Sequence, residues 1–322
     1  MNLEPIKAAV RQAAALCGNV QQRHIVAQQK GGDGPVTIAD YGAQALICAA
    51  IQAHFPGDCV LAEESGRQFM ELVAAEQRAE VVGLIGEAMG REVTEAEVVA
   101  WLDYGQSHDA PRKWVIDPVD GTKGFLALRH YAIAVGLVVE GQPVAGVMGC
   151  PGYPEIEGGA LFWAQDGSCW LEPISGGTSR QVRASTVTDP AASRVLESVE
   201  KSHAGFDRMA RARELAGLAA APLVRIDSME KYARIAAGDA ELYLRLPNIK
   251  SNRPHSTWDH AAGAALVAAG GGKATDVDGT PLDFASGATM ARTRGMVVTN
   301  GLIHDQVLAG VQALFNEEQQ GQ

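Results

Sequence analysis

The spacing of apolar residues changes character twice along the chain. Helical spacing predicts helices over 3–29 and 40–54. Short apolar runs and alternating segments then predict strands. They lie at 59–65, 113–117, 131–140, 143–151 and 160–173, the last as a hairpin that turns at Asp166–Gly167. Between the first two strands, residues 66–110 consist mostly of helix formers and predict a helical insertion.

A stretch at 173–190, rich in Ser, Thr, Gly and Pro, interrupts this pattern. Beyond it, predicted strands alternate with predicted helices, which lie at 204–219, 228–237 and 259–269. Such alternation favours an α/β layer. We therefore expect an N-terminal α+β domain at 1–172 and a C-terminal α/β domain at 173–322.

The composition narrows the classes of function. Of the 322 residues, 47% are hydrophobic and 20% are charged, which is typical of a folded globular protein. A formal charge of −11 argues against a nucleic-acid polymer as partner, and the absence of any run of 18 uncharged apolar residues argues against a membrane span. The five cysteines include no CxxC pair, which predicts buried thiols in a reducing, cytoplasmic location; a catalytic thiol is the alternative.

The segment 114–125, WVIDPVDGTKGF, places two acids at the end of an apolar strand. Ligands of α/β sheets bind at the carboxyl ends of strands, and Pro118 favours an extended conformation for Asp117. Gly121 permits a tight turn, and Thr122 can cap a helix whose free amides would bind phosphate. Carboxylate oxygens favour Mg²⁺, Mn²⁺ or Ca²⁺. A plain Asx turn with a capping threonine is the alternative interpretation.

Acids also stand at the ends of other predicted elements. Glu63 and Glu64 follow an apolar strand. Asp40 begins the second predicted helix, and Asp259 begins a helix of small residues. Each position alone is weak evidence, because acids are common at element ends. If these side chains meet the two acids of the segment 114–125, they cannot all stay ionised without cations.

Four motifs, VTIAD at 36–40, LAEES at 61–65, DPVDGTKGF at 117–125 and WDHAAG at 258–263, together resemble those of the lithium-sensitive, Mg²⁺-dependent phosphatases related to inositol monophosphatase. Further segments, among them YGAQALI, GCPGYP, SVEKSH and DSMEKYARIAAGDAELYLRLP, resemble the 3′(2′),5′-bisphosphate nucleotidases of that superfamily. The resemblance covers residues 35–300. It implies an α/β fold of the inositol monophosphatase and fructose-1,6-bisphosphatase type, a layered αβαβα sandwich with the site between two halves.

The resemblance also implies metal ligands. The first Mg²⁺ would be held by Glu63, Asp117 and the carbonyl of Val119. The second would be held by Asp117, Asp120 and Asp259, and Glu63 would touch a third, weaker ion. Mn²⁺ is expected to substitute for Mg²⁺, and Li⁺ or Ca²⁺ to inhibit.

Catalytic roles follow from the same resemblance. Thr122, paired with Asp40, would position and activate the attacking water, and the amides of Gly121 and Thr122 would hold the scissile phosphate. Metal-assisted attack by water needs positioning and charge neutralisation rather than a covalent nucleophile. This requirement suits a chain without an obvious catalytic triad.

The C-terminal half would choose the substrate. By resemblance, His203, Ser228, Lys231 and Arg245 match nucleotide-binding positions of the bisphosphate nucleotidases. Ser228 and Lys231 are three apart on a predicted helix and so share a face. Lys231 and Arg245 would neutralise the phosphate that is not cleaved, and His203 would contact the adenosine. Without the resemblance, a lone histidine or lysine is more often structural or solvated.

The expected activity is hydrolysis of 3′-phosphoadenosine 5′-phosphate to AMP and phosphate, with the sulfated form as a further substrate. The first alternative is a relative that acts on inositol phosphates, either a monophosphatase or a polyphosphate 1-phosphatase. The second is a non-catalytic protein on the same fold, which would lack one of the residues named above. The expected partner is a small-molecule nucleotide, and the expected assembly is a monomer or homodimer.

Overall fold

The computed structural model describes residues 1–25, 34–106, 111–199, 205–248 and 254–320. The helices are α1 (Glu4–Ile25), α2 (Gly34–His54), α3 (Gly66–Leu72), α4 (Ala75–Met89), α5 (Glu95–Leu102), α6 (Thr122–Leu126), α7 (Phe206–Leu215), α8 (Glu230–Ala237), α9 (Ala261–Gly270) and α10 (His304–Gln320). The strands are β1 (Cys59–Ala62), β2 (Arg112–Asp120), β3 (Ala132–Val139), β4 (Gln142–Cys150), β5 (Ala160–Gln165), β6 (Ser168–Pro173), β7 (Arg180–Val182), β8 (Val195–Glu197), β9 (Leu223–Arg225), β10 (Leu242–Arg245), β11 (Lys273–Thr275) and β12 (Met296–Thr299).

The first sheet contains seven strands in chain order, β1 to β7. Only the pairing of β1 with β2 is parallel, and every later neighbour is joined by an antiparallel ladder. The predicted hairpin at Asp166–Gly167 is confirmed, since both residues adopt positive φ, 51° and 70°, as a tight two-residue turn requires. Helices α3, α4 and α5 confirm the helical character of the predicted insertion.

The second sheet has the order β11-β12-β10-β8-β9 and mixes parallel with antiparallel pairs. Three elements have no counterpart among the predicted ones: β7, β11 and α10. The two β-strands have only three residues each, too few to show a periodicity. Because β7 pairs with β6, the first sheet extends past residue 172; the division into domains at that residue stays a prediction.

Five layers make up the molecule. Helices α1 and α2 pack on one face of the first sheet, α8 and α9 lie between the sheets, and α7 and α10 cover the second sheet. This arrangement confirms the predicted αβαβα sandwich. Helix α9 lies very close to the first sheet: a Cβ built on Gly136 or Gly146 would be only 2.8 Å from the backbone of Ala262, so both positions need glycine. The close packing fixes the start of α9, and Asp259 just before it, against the sheet.

Three helix starts differ from the prediction, one of which is α9: it begins at Ala261, so Asp259 precedes the helix that it was predicted to begin. Helix α2 begins at Gly34, so Asp40 lies inside the helix and not at its first residue. The residues before Asp40 include β-branched ones, whose weak helix propensity is overridden by burial of Ile38 in the core. Helix α8 begins at Glu230, so Ser228 precedes the helix that was predicted to contain it. None of the described helices is long and apolar enough to cross a membrane.

Candidate active site

A cleft of about 290 Å³ opens between the two halves of the chain. Seven of the residues predicted for the site line it: Asp120, Gly121, Thr122, Ser228, Lys231, Arg245 and Asp259. The first three come from the end of β2 and the start of α6, and the others come from the C-terminal half. The structure therefore brings together segments that are more than a hundred residues apart in sequence.

The end of β2 is irregular where the acids lie. Asp117 pairs with Ala134 and Asp120 pairs with Ala132, with a register shift between them. Pro118 explains this bulge, since proline has no N–H to donate to the ladder. The strand therefore continues past Asp117, its predicted last residue, as far as Asp120. Val119 is buried within the bulge, and the role of its carbonyl as a metal ligand stays a prediction.

Gly121 makes the turn from β2 into α6. Its φ of 91° is the left-handed conformation that favours glycine, and an added Cβ would lie 3.0 Å from the Cβ of Ser228. Gly121 is also the residue that caps α6, so Thr122 is its first helical residue and does not cap it as predicted. The side chain of Thr122 is exposed at the cleft.

Five acids at and next to the cleft influence one another's pKa values. Burial raises the pKa of Asp117 well above its usual value, and the neighbouring Asp120, Glu63 and Asp259 raise it further. Burial likewise raises the pKa of Asp40 well above its usual value, with Glu63 as the next cause. Glu63 and Asp117 therefore adjoin Asp120 and Asp259, which line the cleft, and Asp40 lies next to Glu63 and Asp117.

The pKa values of Glu63 and Asp259 are raised for the same reasons. Burial of its carboxyl group, together with Glu64, Asp259 and Asp120, raises the pKa of Glu63 to about 7. Burial and the nearby Asp120 raise the pKa of Asp259 to about 7. Carboxyl groups in this condition lack the positive charge that would stabilise them as carboxylates.

The cluster fits a group of divalent cations. Asp117 Oδ1 is buried and has no hydrogen-bond partner among the described residues. Such an orphaned oxygen is uncommon in a folded protein and is accounted for if it ligates an ion. In the described conformation no set of three or more His, Cys, Asp or Glu side chains is drawn together tightly enough to hold a metal. Mg²⁺ is usually held by one or two carboxylates and keeps several waters, so the acids at the cleft still suit such an ion.

Cationic side chains line the same cleft. Lys231 is buried and lies with its Nζ 5.2 Å from the centre of the Tyr243 ring. Its Nζ donates hydrogen bonds to the carbonyl oxygens of Ile226, at 2.9 Å, and Ser228, at 2.6 Å. Burial lowers the pKa of Lys231 to about 8, so it is largely protonated at neutral pH. Arg245 lies on β10, beside it in the cleft.

A hydrogen bond links the end of β2 to the segment just before α8. The backbone N–H of Met229, just before α8, donates to Asp120 Oδ2. Lys231 holds the same loop through the two carbonyl oxygens that it binds. The position of Asp120 is thus tied to the loop that Lys231 holds.

Some lining residues escaped the sequence analysis. Tyr232 and Tyr243 both line the cleft, with their rings in edge contact at 5.4 Å. Tyr243 could have been found, because it stands two residues before Arg245 and side chains at that spacing share a face of a strand. His260 also lines the cleft and contacts the Tyr232 hydroxyl through Nδ1 at 2.8 Å. The predicted contact residue His203 lies outside the described residues.

Comparison with known proteins extends over nearly the whole chain. The model of the inositol monophosphatase family matches residues 2–314. A 3′(2′),5′-bisphosphate nucleotidase of Oryza sativa is 34% identical over an alignment of 344 positions, gaps included, which covers 99% of this chain and 95% of the relative. Another from Emericella nidulans is 35% identical over 321 residues, with 89% and 90% of the two chains covered.

Solved structures agree on the fold. The chain superposes on an inositol monophosphatase from Anabaena with a TM-score of 0.60, at 22% identity, over 97% of each chain. It superposes on the extragenic suppressor protein suhB of Bartonella henselae with a TM-score of 0.64, at 18% identity, over 96% and 98% of the chains. At these identities the likeness concerns the fold alone. Together with the sequence match, it confirms the resemblance, and the chain belongs to the inositol monophosphatase family.

Proposed function

We propose that this protein is a Mg²⁺-dependent phosphomonoesterase that hydrolyses 3′-phosphoadenosine 5′-phosphate to AMP and phosphate. The observation that carries the proposal is a cleft whose lining combines the carboxyl groups of Asp120 and Asp259 with the cationic side chains of Lys231 and Arg245. The relatives from Oryza sativa and Emericella nidulans, which bear the name 3′(2′),5′-bisphosphate nucleotidase, support the choice of substrate.

The acids at and next to the cleft would hold the cations. Glu63, Asp117 and the Val119 carbonyl would bind one ion, and Asp117, Asp120 and Asp259 a second, with a third, weaker ion near Glu63. Their raised pKa values and the unpartnered Asp117 Oδ1 support this assignment. When bound, such cations neutralise phosphate charge and make water a better nucleophile at neutral pH. Mn²⁺ would replace Mg²⁺, and Li⁺ or Ca²⁺ would inhibit.

The chain's own residues would orient the reaction. Thr122 and Asp40 would position the attacking water and accept its proton, and the amides of Gly121 and Thr122 would hold the phosphate that is cleaved. The exposure of Thr122 at the cleft supports its part. Asp40 is buried beside Glu63, and a raised pKa suits a group that must take up a proton.

Lys231 and Arg245 would hold the second phosphate. An ammonium group has three N–H donors, and Lys231 uses two of them on backbone carbonyls, which leaves one for a ligand. Arg245 stays charged at any working pH and can bind phosphate through two donors at once. Ser228 lies between these residues and Gly121, where it can contact the nucleotide. His203 is proposed to contact the adenosine.

The surroundings of the enzyme are part of the proposal. All five cysteines are buried and none forms a disulfide, which supports a reducing, cytoplasmic location. The net charge of −11 supports a small-molecule nucleotide as partner rather than a nucleic-acid polymer. We further propose a monomer or homodimer, in which residues 1–172 supply most metal ligands and 173–322 supply Asp259 and the nucleotide contacts.

The substrate assignment is tested with Arg245→Gln. Loss of a charged hydrogen bond to phosphate is worth about 1.5–3 kcal/mol, so kcat/KM for 3′-phosphoadenosine 5′-phosphate should fall by roughly 10- to 100-fold. Turnover of inositol 1-phosphate, which has no second phosphate, should change little. Arg211→Gln is the matched control, because Arg211 pairs with Glu317 on the far side of the second sheet. Equal losses for both substrates would remove Arg245 from its assigned role and favour an inositol phosphatase.

A further inference from the structure

A buried glutamine, Gln44, connects helix α2 to the segment that follows β1. Gln44 has no exposed surface, although it is polar. Its Nε2 donates to the carbonyl oxygen of Glu64 at 2.7 Å, and its Oε1 accepts from the N–H of Glu64 at 2.9 Å. One side-chain amide therefore binds both backbone groups of a single residue, as a neighbouring strand would do.

This contact lies just beyond the end of strand β1, where the hydrogen bonds of the sheet end. Strand β1 ends at Ala62, so the ladder with β2 does not extend to Glu63 or Glu64. Buried backbone groups need partners, and the Gln44 amide supplies them immediately after the strand. The side chain of Glu63, which directly precedes the bonded residue, is therefore carried on a backbone whose position Gln44 fixes.

The same helix face carries the proposed proton acceptor. Asp40 lies one turn before Gln44 on α2, and residues four apart share a face. Glu63 and Glu64 both act electrostatically on Asp40, so all three groups adjoin. One turn of α2 therefore carries two side chains, those of Asp40 and Gln44, that lie next to the Glu63–Glu64 pair.

Two residues near the end of the helical insertion also bind the segment after β1. Gln106, just after α5, donates from Nε2 to the Glu64 carbonyl at 3.3 Å and to the Leu102 carbonyl at 2.7 Å. Asp103 Oδ1 accepts the N–H of Gly66 at 2.9 Å. The contact from Gln106 to Glu64 is longer than that from Gln44, so it is the weaker of the two supports.

We propose that Gln44 is a positioning residue for the metal site: its amide sets the placement of Glu63 relative to Asp40 and so tunes the affinity of the cleft for divalent cations. The inference rests on the proposed metal-dependent function. It adds a residue that binds neither metal nor substrate and acts through the backbone. Residues that orient metal ligands in this way typically change affinity by about 10- to 100-fold when replaced.

The test is calorimetric titration of the full chain with Mg²⁺, without substrate, so that binding is read apart from turnover. Gln44→Met keeps the length of the side chain and removes both hydrogen bonds. Leu46→Ala is the control for stability, because Leu46 is buried in the core two residues along α2 and points away from Gln44. Gln44→Asn, which keeps an amide but is too short to reach both groups, serves if the first variant does not fold.

The expected result is a Mg²⁺ affinity lowered about 10-fold or more by Gln44→Met or Gln44→Asn and left unchanged by Leu46→Ala. Gln106→Ala should lower the affinity in the same direction by a smaller factor. Unchanged affinity in the folded Gln44 variants would overturn the inference, and so would an equal loss in Leu46→Ala. If the unaltered protein itself binds no Mg²⁺, the proposed function fails and the inference fails with it.

Discussion

Replacing Asp259 by asparagine should make the metal-free protein more stable at pH 8, although it removes a proposed metal ligand. Asp259 is an acid whose pKa rises to about 7 through burial and the nearby Asp120. Between its unfolded value and this folded value, the folded protein holds a proton that the unfolded chain has lost. Stability must therefore fall as the pH rises through that window.

The size of the effect follows from the two pKa values. A rise from 3.8 to about 7 corresponds to about 4 kcal/mol in total, and about 3 kcal/mol of this lies between pH 5 and pH 8. Asparagine carries no charge and has no such dependence. Because Glu63 and Asp120 titrate in the same cluster and can relax when Asp259 is replaced, we expect a gain of about 1–3 kcal/mol at pH 8.

Urea unfolding in the presence of a chelator, at pH 5 and pH 8, measures the effect. The asparagine variant should be more stable than the unaltered protein at pH 8 and should differ from it less at pH 5. Addition of Mg²⁺ should then stabilise the unaltered protein much more than the variant, because only the former keeps the full set of carboxylates. A variant that is less stable than the unaltered protein at pH 8 would refute the electrostatic account of the cluster.

Three further predictions concern other residues. Asp120→Asn should keep the fold, because its side-chain oxygen can still accept the Met229 N–H. The variant should release phosphate at least about 100-fold more slowly. Near-normal turnover in a variant with an unchanged circular dichroism spectrum would show that the metal site lies elsewhere. His304 is buried between the hydroxyls of Thr275 and Thr299, and burial lowers its pKa to about 4. Relative to a His304→Gln variant, the protein should therefore lose up to about 3 kcal/mol of stability as the pH falls from 6.5 to 4. Urea-unfolding free energies of the two proteins that change in parallel with pH would contradict this. Leu128 follows α6 with a φ of 55°, so Leu128→Gly should raise the free energy of unfolding by roughly 0.5–1 kcal/mol, whereas a similar gain in the control Leu128→Ala would show that strain is not the cause.

The sequence predicted elements best where local chemistry decides them. The hairpin at Asp166–Gly167 needs positive φ at two adjacent positions, and an Asp-Gly pair supplies it. The acidic ends of β1 and β2 were visible because apolar strands led into them. The start of α2 was not, since burial of Ile38 in the core, rather than helix propensity, extends the helix back to Gly34.

Long-range contacts explain most of what the sequence did not reveal. That Met229 donates to Asp120, and that Gln44 binds the backbone of Glu64, depends on segments separated by many residues. Lys231 was predicted only as a phosphate ligand, whereas its Nζ also holds the loop before α8. No periodicity or motif records such side-chain-to-backbone bonds, because a glutamine or lysine in an apolar stretch can meet many partners.

The central claim is that the cleft hydrolyses a nucleotide bisphosphate with the help of divalent cations. The most direct measurement is kcat/KM for 3′-phosphoadenosine 5′-phosphate and for inositol 1-phosphate, side by side, with Mg²⁺ and with a chelator. Two cationic side chains for the second phosphate predict a preference for the nucleotide of about 100-fold or more, and only with Mg²⁺. Equal rates, a preference for the inositol ester, or turnover that survives the chelator would contradict the account.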